Sequence, residues 1–154
     1  MRIVIEGADG TGKTTLSKKL ARTYGIDRLN INRYDPNTFN FYLETLNKTN
    51  VVFDRHFIGE MVYPKVFNRK GKLETSDFEW LLNYCREKGI PVIILYTDEH
   101  ILKQRQKLDE YPEVLNNIIE INRKFIEIGE KYQIPLIDVE KVNYEDICEL
   151  IESW

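Results

Sequence analysis

Residues 7 to 14 read Gly-Ala-Asp-Gly-Thr-Gly-Lys-Thr and match the pattern GxxxxGK[ST] at every position. This run constrains the fold, because it works only where a strand ends and a helix begins. Arg2-Ile3-Val4-Ile5-Glu6 supplies the strand, and Thr14 to Tyr24 carries helical periodicity. Gly7, Gly10 and Gly12 allow positive φ, so successive N–H groups can face phosphate oxygens at the positive end of the helix. Together with Thr11, Lys13, Thr14 and Thr15 they form the expected nucleotide cradle. Lys13 is expected to reach the β- and γ-phosphates of ATP, and Thr14 to hold Mg²⁺.

The rest of the chain alternates short apolar runs with amphipathic stretches. That pattern predicts an α/β, three-layer P-loop NTPase fold with a five-stranded parallel sheet and helices on both faces. Strands are expected at 2–6, 28–33, 51–53, 91–96 and 135–137. Leu16, Leu20, Ala21 and Tyr24 form the buried face of the first helix, and Gly25 stops it. Asp35-Pro36 reads as an N-cap and first-turn proline, opening a helix with Phe39, Leu43 and Leu46 inward. Residues 58–66 are helical in pattern, but Pro64 must bend or interrupt them. Thr75 to Lys88 buries Phe78, Leu81, Leu82 and Cys85. A later long helix presents Val114, Ile118, Ile121, Phe125, Ile128 and Tyr132, and the last, Tyr144 to Ile151, turns Ile147, Cys148 and Ile151 inward. The polar stretch 99–112, closed by Tyr111-Pro112, reads as a small lid on a single domain spanning 1–154.

With 154 residues and a net charge of −3, the chain is not built to hold long nucleic acid by neutralising its phosphates. A small nucleotide is the expected partner. Cys85 and Cys148 have no metal-binding spacing and read as buried free thiols. No apolar run is long enough to span a bilayer, and the first residues already form a strand, so a cytoplasmic protein is expected, with a homodimer open to it.

Val51-Val52-Phe53 delivers Asp54 and Arg55 to the C-terminal edge of the sheet, where open α/β folds bind ligands. Asp54 is the expected carboxylate near Mg²⁺. Arg55 offers a fixed fork for a second phosphate, as a kinase with an anionic acceptor requires. Residues 8 to 11 contain no arginine, so the charge needed on the γ-phosphate must come from elsewhere. Among Lys103, Arg105 and Lys107, Arg105 is the first choice, with Arg123 second. Tyr63, Phe67, Arg69 and Lys70 are candidates for the acceptor's base, and Asp9 is tolerable beside phosphates only if it turns away, for instance toward a sugar hydroxyl.

Ile5-Glu6-Gly7-Ala8-Asp9-Gly10-Thr11-Gly12-Lys13-Thr14-Thr15 resembles the thymidylate kinase loop FEGxDGxGKTT, and Asp54-Arg55-His56 resembles that family's DR[YFH] motif. The resemblance implies that Asp9 contacts the acceptor's 3′-hydroxyl, Arg55 its phosphate, and Asp54 the metal and its waters. It also implies an arginine supplied from the lid, as in the subset lacking the loop arginine. The family's TREPGG segment is replaced by Asn32-Arg33-Tyr34-Asp35-Pro36, which passes its phosphate contacts to Arg33 and leaves base preference open. The implied activity is ATP- and Mg-dependent transfer to a deoxynucleoside monophosphate such as dTMP. A deoxynucleoside kinase acting on a 5′-hydroxyl is the alternative. A nucleotide switch would need NKxD after a strand, and Asn47-Lys48-Thr49-Asn50 has the wrong last residue and precedes one.

Overall fold

The apolar runs form five parallel strands, β1 (Arg2–Gly7), β2 (Asp27–Asn30), β3 (Val51–Asp54), β4 (Val92–Leu95) and β5 (Leu136–Ile137), in the order β2-β3-β1-β4-β5. The computed structural model describes residues 1–105 and 116–154. Parallel strands are covered on both faces, and their alternation sorts the core into two layers. Val4, Val51, Phe53, Val92 and Ile94 face one layer, and Ile3, Ile5, Val52, Ile93 and Leu95 the other. The first layer is covered by α2 (Phe39–Leu46), α4 (Thr75–Glu87) and α6 (Ile118–Tyr132), the second by α1 (Lys13–Tyr24) and α7 (Tyr144–Glu152).

The register aligns Ile5 with Asp54, so the phosphate loop leaving β1 and the Asp54-Arg55 pair leaving β3 emerge side by side. Pro64 acts as expected. A 3-10 turn, Phe57–Met61, ends before it, and α3 (Tyr63–Val66) starts around it, where a first-turn proline loses no helical bond. Glu74 N–H donates to Asp77 Oδ2 at 3.0 Å at the start of α4, and Gly89 follows with φ 63°. Phe78, Leu81, Leu82 and Cys85 are buried as the pattern requires.

Four expectations are corrected. The helix expected at Asp35-Pro36 starts at Phe39, capped by Thr38, whose hydroxyl accepts from Phe41 N–H at 3.2 Å. Asp35 is engaged elsewhere: its Oδ2 accepts from Asn32 N–H at 2.9 Å, and Asn37 at φ 53° cannot continue a helix. That turn also ends β2 at Asn30, short of the expected residue 33. In α2 the fully inward residues are Tyr42, Thr45 and Leu46, while Phe39 and Leu43 are half-buried, because Tyr42 packs on the His56 and Phe57 rings. Cys148 is only half-buried, whereas burial pushes the Cys85 thiol up to about 12. In the lid region α5 (Glu99–Gln104) is a short helix, and Lys107, Tyr111, Pro112 and Val114 lie outside the described residues.

Candidate active site

The loop bends through three positive torsions, φ 141° at Gly7, 84° at Gly10 and 94° at Gly12. Gly7 is also fixed by space, since a Cβ there would lie 2.3 Å from the Leu95 carbonyl oxygen on β4. Thr11 turns inward and donates its hydroxyl to the Ala8 carbonyl at 2.7 Å. Lys13 Nζ donates to the same carbonyl at 2.9 Å and sits 3.9 Å from Asp9. Burial pulls its pKa down to about 8, with Arg55 adding to the effect and Asp9, Asp54 and Glu6 opposing it.

A cavity of about 830 Å³ opens over the loop. Gly10, Gly12, Lys13, Thr14, Thr15 and Arg105 line it, together with Leu16, Val139, Val142 and Tyr144. Thr14 Oγ1 donates to Asp54 Oδ2 at 3.3 Å, which leaves the hydroxyl lone pairs for a cation. A hydroxyl and a carboxylate are hard oxygen donors suited to Mg²⁺ when nucleotide phosphates and water complete the shell. No cluster of three or more metal-ligating side chains exists among the described residues, so such shared coordination is the arrangement this donor set fits.

A second cavity of about 660 Å³ lies beyond. Asp9, Asn32 and Arg55 line both cavities and mark their junction. Arg55 leaves β3 with φ 72°, an uncommon torsion for a long side chain, held by its N–H donating to the Ile5 carbonyl at 2.9 Å. Its guanidinium pairs with Asp9. Burial works against its charge, but the surrounding Tyr63, Asp9, Glu6 and Asp54 more than offset this, and its pKa is raised. Arg33, Tyr63, Phe67, Arg69 and Lys70 line the second cavity as well, with the Arg69 guanidinium 5.5 Å from the Phe67 ring centre.

The two candidate cations, Arg105 at the end of α5 and Arg123 on α6, separate clearly. Arg105 donates to the Gly10 carbonyl at 2.9 Å and pairs with Glu140, so it touches the phosphate loop. Arg123 pairs with Glu99 at 2.5 Å, is mostly exposed and lines neither cavity. Lys103 is exposed and lines neither cavity.

Five residues at the site escaped the sequence reading. Glu6, near the end of β1, lines the second cavity, and its Oε1 accepts from His56 N–H at 2.8 Å and Gly59 N–H at 3.2 Å. Burial drives its carboxyl up to about 7 despite those bonds. A carboxylate closing an otherwise apolar buried strand was the available signal. Arg28, on the polar edge strand β2, bonds Asp54 at 2.5 Å and gave no signal at all. Val139, Val142 and Tyr144 follow β5, and their place after a strand's C-terminal end was the only hint.

The family model described as Novel STAND NTPase 3 matches residues 2–140. A probable thymidylate kinase of Methanocaldococcus jannaschii is 25% identical over 96% of this chain and 91% of its own. The YorR protein of Bacillus subtilis, solved with phosphorylated GDP, superposes with a TM-score of 0.81 at 19% identity, covering 99% of this chain and 96% of that one. Deoxyadenosine kinase from M. mycoides, solved with the products dCMP and dCDP, gives a TM-score of 0.57 at 19% identity, over 99% and 97% of the two chains. The fold is that of P-loop nucleotide and nucleoside kinases. No described helix is long and apolar enough to cross a membrane. A phosphate loop at the edge of a five-stranded parallel sheet, matched by the family model over most of its length, makes this chain a member of the Novel STAND NTPase 3 family.

Proposed function

We propose that the chain transfers the γ-phosphoryl group of ATP to a deoxynucleoside monophosphate of the dTMP type, giving the diphosphate and ADP. The observation that carries this reading is Arg55 at the junction of the two cavities, where a triphosphate in one and an acceptor phosphate in the other would meet. An acceptor phosphate oxygen forms the new bond to the γ-phosphorus as the bond to the β–γ bridging oxygen breaks. That oxygen is anionic near neutral pH and needs no base, only a cation to hold it. The Arg55 guanidinium, paired with Asp9 through Nη2, has further N–H donors that would hold it. On the donor side, the loop amides and Lys13 hold the β- and γ-phosphates, and Arg105 lies close enough to the loop to cover them. Thr14 and Asp54 would hold Mg²⁺, which would supply positive charge to the same phosphates. Asp9, beside Arg55, stands where an acceptor sugar hydroxyl could reach it. Tyr63, Phe67, Arg69 and Arg33 surround the base and sugar. The likeness to a probable thymidylate kinase supports the reading.

A second reading rests on Glu6. A nucleoside acceptor needs a carboxylate to take its 5′-hydroxyl proton, and efficient bases titrate near the working pH. Asp54 lines only the first cavity, whereas Glu6 lines the acceptor cavity and burial pushes its carboxyl up to about 7. The likeness to deoxyadenosine kinase supports this reading. A panel of nucleosides and their monophosphates, assayed with ATP and Mg²⁺ for ADP release, separates the two. Faster turnover of nucleosides selects the second.

A further inference from the structure

Arg28 stands on an edge strand of the sheet, Asp27-Arg28-Leu29-Asn30, four residues with no fully buried member. Leu29 turns to the α2 side of the sheet and packs on that core, so Arg28 and Asn30 turn to the α1 side, which Asp54 also faces. From there the guanidinium joins three elements. Its Nη2 donates to Asp54 Oδ2 at 2.5 Å, and its Nε donates to Ser17 Oγ on α1 at 2.8 Å. Ser17, fully buried, is 3.4 Å from the same Oδ2 and 3.1 Å from the Thr14 carbonyl. Thr14 Oγ1 at 3.3 Å and Arg28 Nη2 both donate to Oδ2, Ser17 shares its one hydroxyl proton between Oδ2 and the Thr14 carbonyl, and no described residue donates to Oδ1.

A carboxylate oxygen offers about two lone-pair directions. Oδ2 is therefore saturated by the protein, and only Oδ1 remains to serve the phosphate cavity. Arg28 also puts a full positive charge against the one carboxylate expected to attract a divalent cation. We propose that Arg28 is a positioning residue that fixes which oxygen of Asp54 faces the nucleotide phosphates and lowers the site's affinity for Mg²⁺. Low affinity suits a site that must release its metal with the product nucleotide in each cycle. The inference rests on the phosphate cavity being a Mg-nucleotide site, but not on the identity of the acceptor.

The test is calorimetric binding of ADP to the full chain over a range of Mg²⁺ concentrations, without any acceptor. In Arg28→Met, which keeps the stem and removes the charge, half-maximal enhancement of ADP binding should need roughly fivefold less Mg²⁺, because an unscreened carboxylate attracts the cation more strongly. Arg28→Lys keeps the charge and should stay within about twofold of wild type, although an ammonium cannot reproduce the fork. A purely structural role would lower thermal stability in both variants and leave both Mg²⁺ midpoints where they are. An unchanged or higher midpoint in Arg28→Met overturns the proposal. ADP binding indifferent to Mg²⁺ in the wild type overturns the cation-site reading, and the proposal with it.

Discussion

In the first cavity five lining residues, Asp9, Gly10, Gly12, Lys13 and Thr14, come from one run of eight whose shape is set by the positive torsions of its glycines. The second cavity is lined by side chains drawn from residues 6–9, 31–42 and 55–72, brought together only by the sheet and the broken helix after β3. The first site is a local backbone shape, whereas the second is an assembly of side chains with few local constraints. It follows that the donor half tolerates little change within the loop, while the acceptor half can alter its preference by exchanging side chains on an unchanged frame.

The sharpest break in that comparison is Lys13→Ala. Lys13 is the main buried side-chain charge of the donor half, and its loss should cost about 3 kcal/mol or more of transition-state stabilisation. Near-normal kcat/KM in a folded variant would remove the kinase reading. Next comes Arg55→Ala, which removes a charge-assisted fork at the junction and should lower kcat/KM for monophosphates by about 2–3 kcal/mol, roughly 30- to 160-fold. Arg55→Lys should not restore it. Steady-state kinetics on both variants decide the point.

Arg105→Ala should lower kcat more than it raises KM for ATP if Arg105, which donates to the Gly10 carbonyl, covers the triphosphate as proposed. Arg123→Ala should leave both parameters unchanged, since its partner is Glu99 on the surface. The reverse outcome would mean that the loop contact of Arg105 is incidental.

Glu6 supplies the mildest test. Its carboxyl moves from an ordinary 4.5 to about 7 in the fold. Between those values the folded protein keeps a proton that the unfolded chain has released, so stability should fall as pH rises from about 4.5 to about 7. The loss should reach at most roughly 3 kcal/mol. Glu6→Gln keeps an oxygen for the His56 and Gly59 N–H groups and should flatten that slope in denaturant titrations. It should also preserve transfer to monophosphates, whereas abolition of activity would point to Glu6 as a base for a hydroxyl acceptor.

The same contrast explains what could be read in advance. The loop, the five strands and the placement of Asp54 and Arg55 follow from short-range patterns, and so does the break at Pro64. The helix assigned to Asp35-Pro36 failed because the Asp35 side chain bonds Asn32 and Asn37 takes a left-handed torsion, a choice between two local motifs that Thr38 decides. Arg28 and Glu6 were missed for a different reason. Their roles depend on which strands are neighbours, and no spacing along the chain encodes that Arg28 will lie against Asp54.

The central claim is that Arg55 serves a phosphate acceptor, and the most direct measurement is the ratio of kcat/KM for thymidine monophosphate over thymidine, repeated with the cytosine pair, in wild type and Arg55→Ala. The account predicts a ratio well above one in the wild type for at least one base, collapsing toward one in Arg55→Ala as only the monophosphate loses its partner. A wild-type ratio below one for both bases would contradict it, and would leave Arg55 as a partner of Asp9 rather than of the acceptor phosphate.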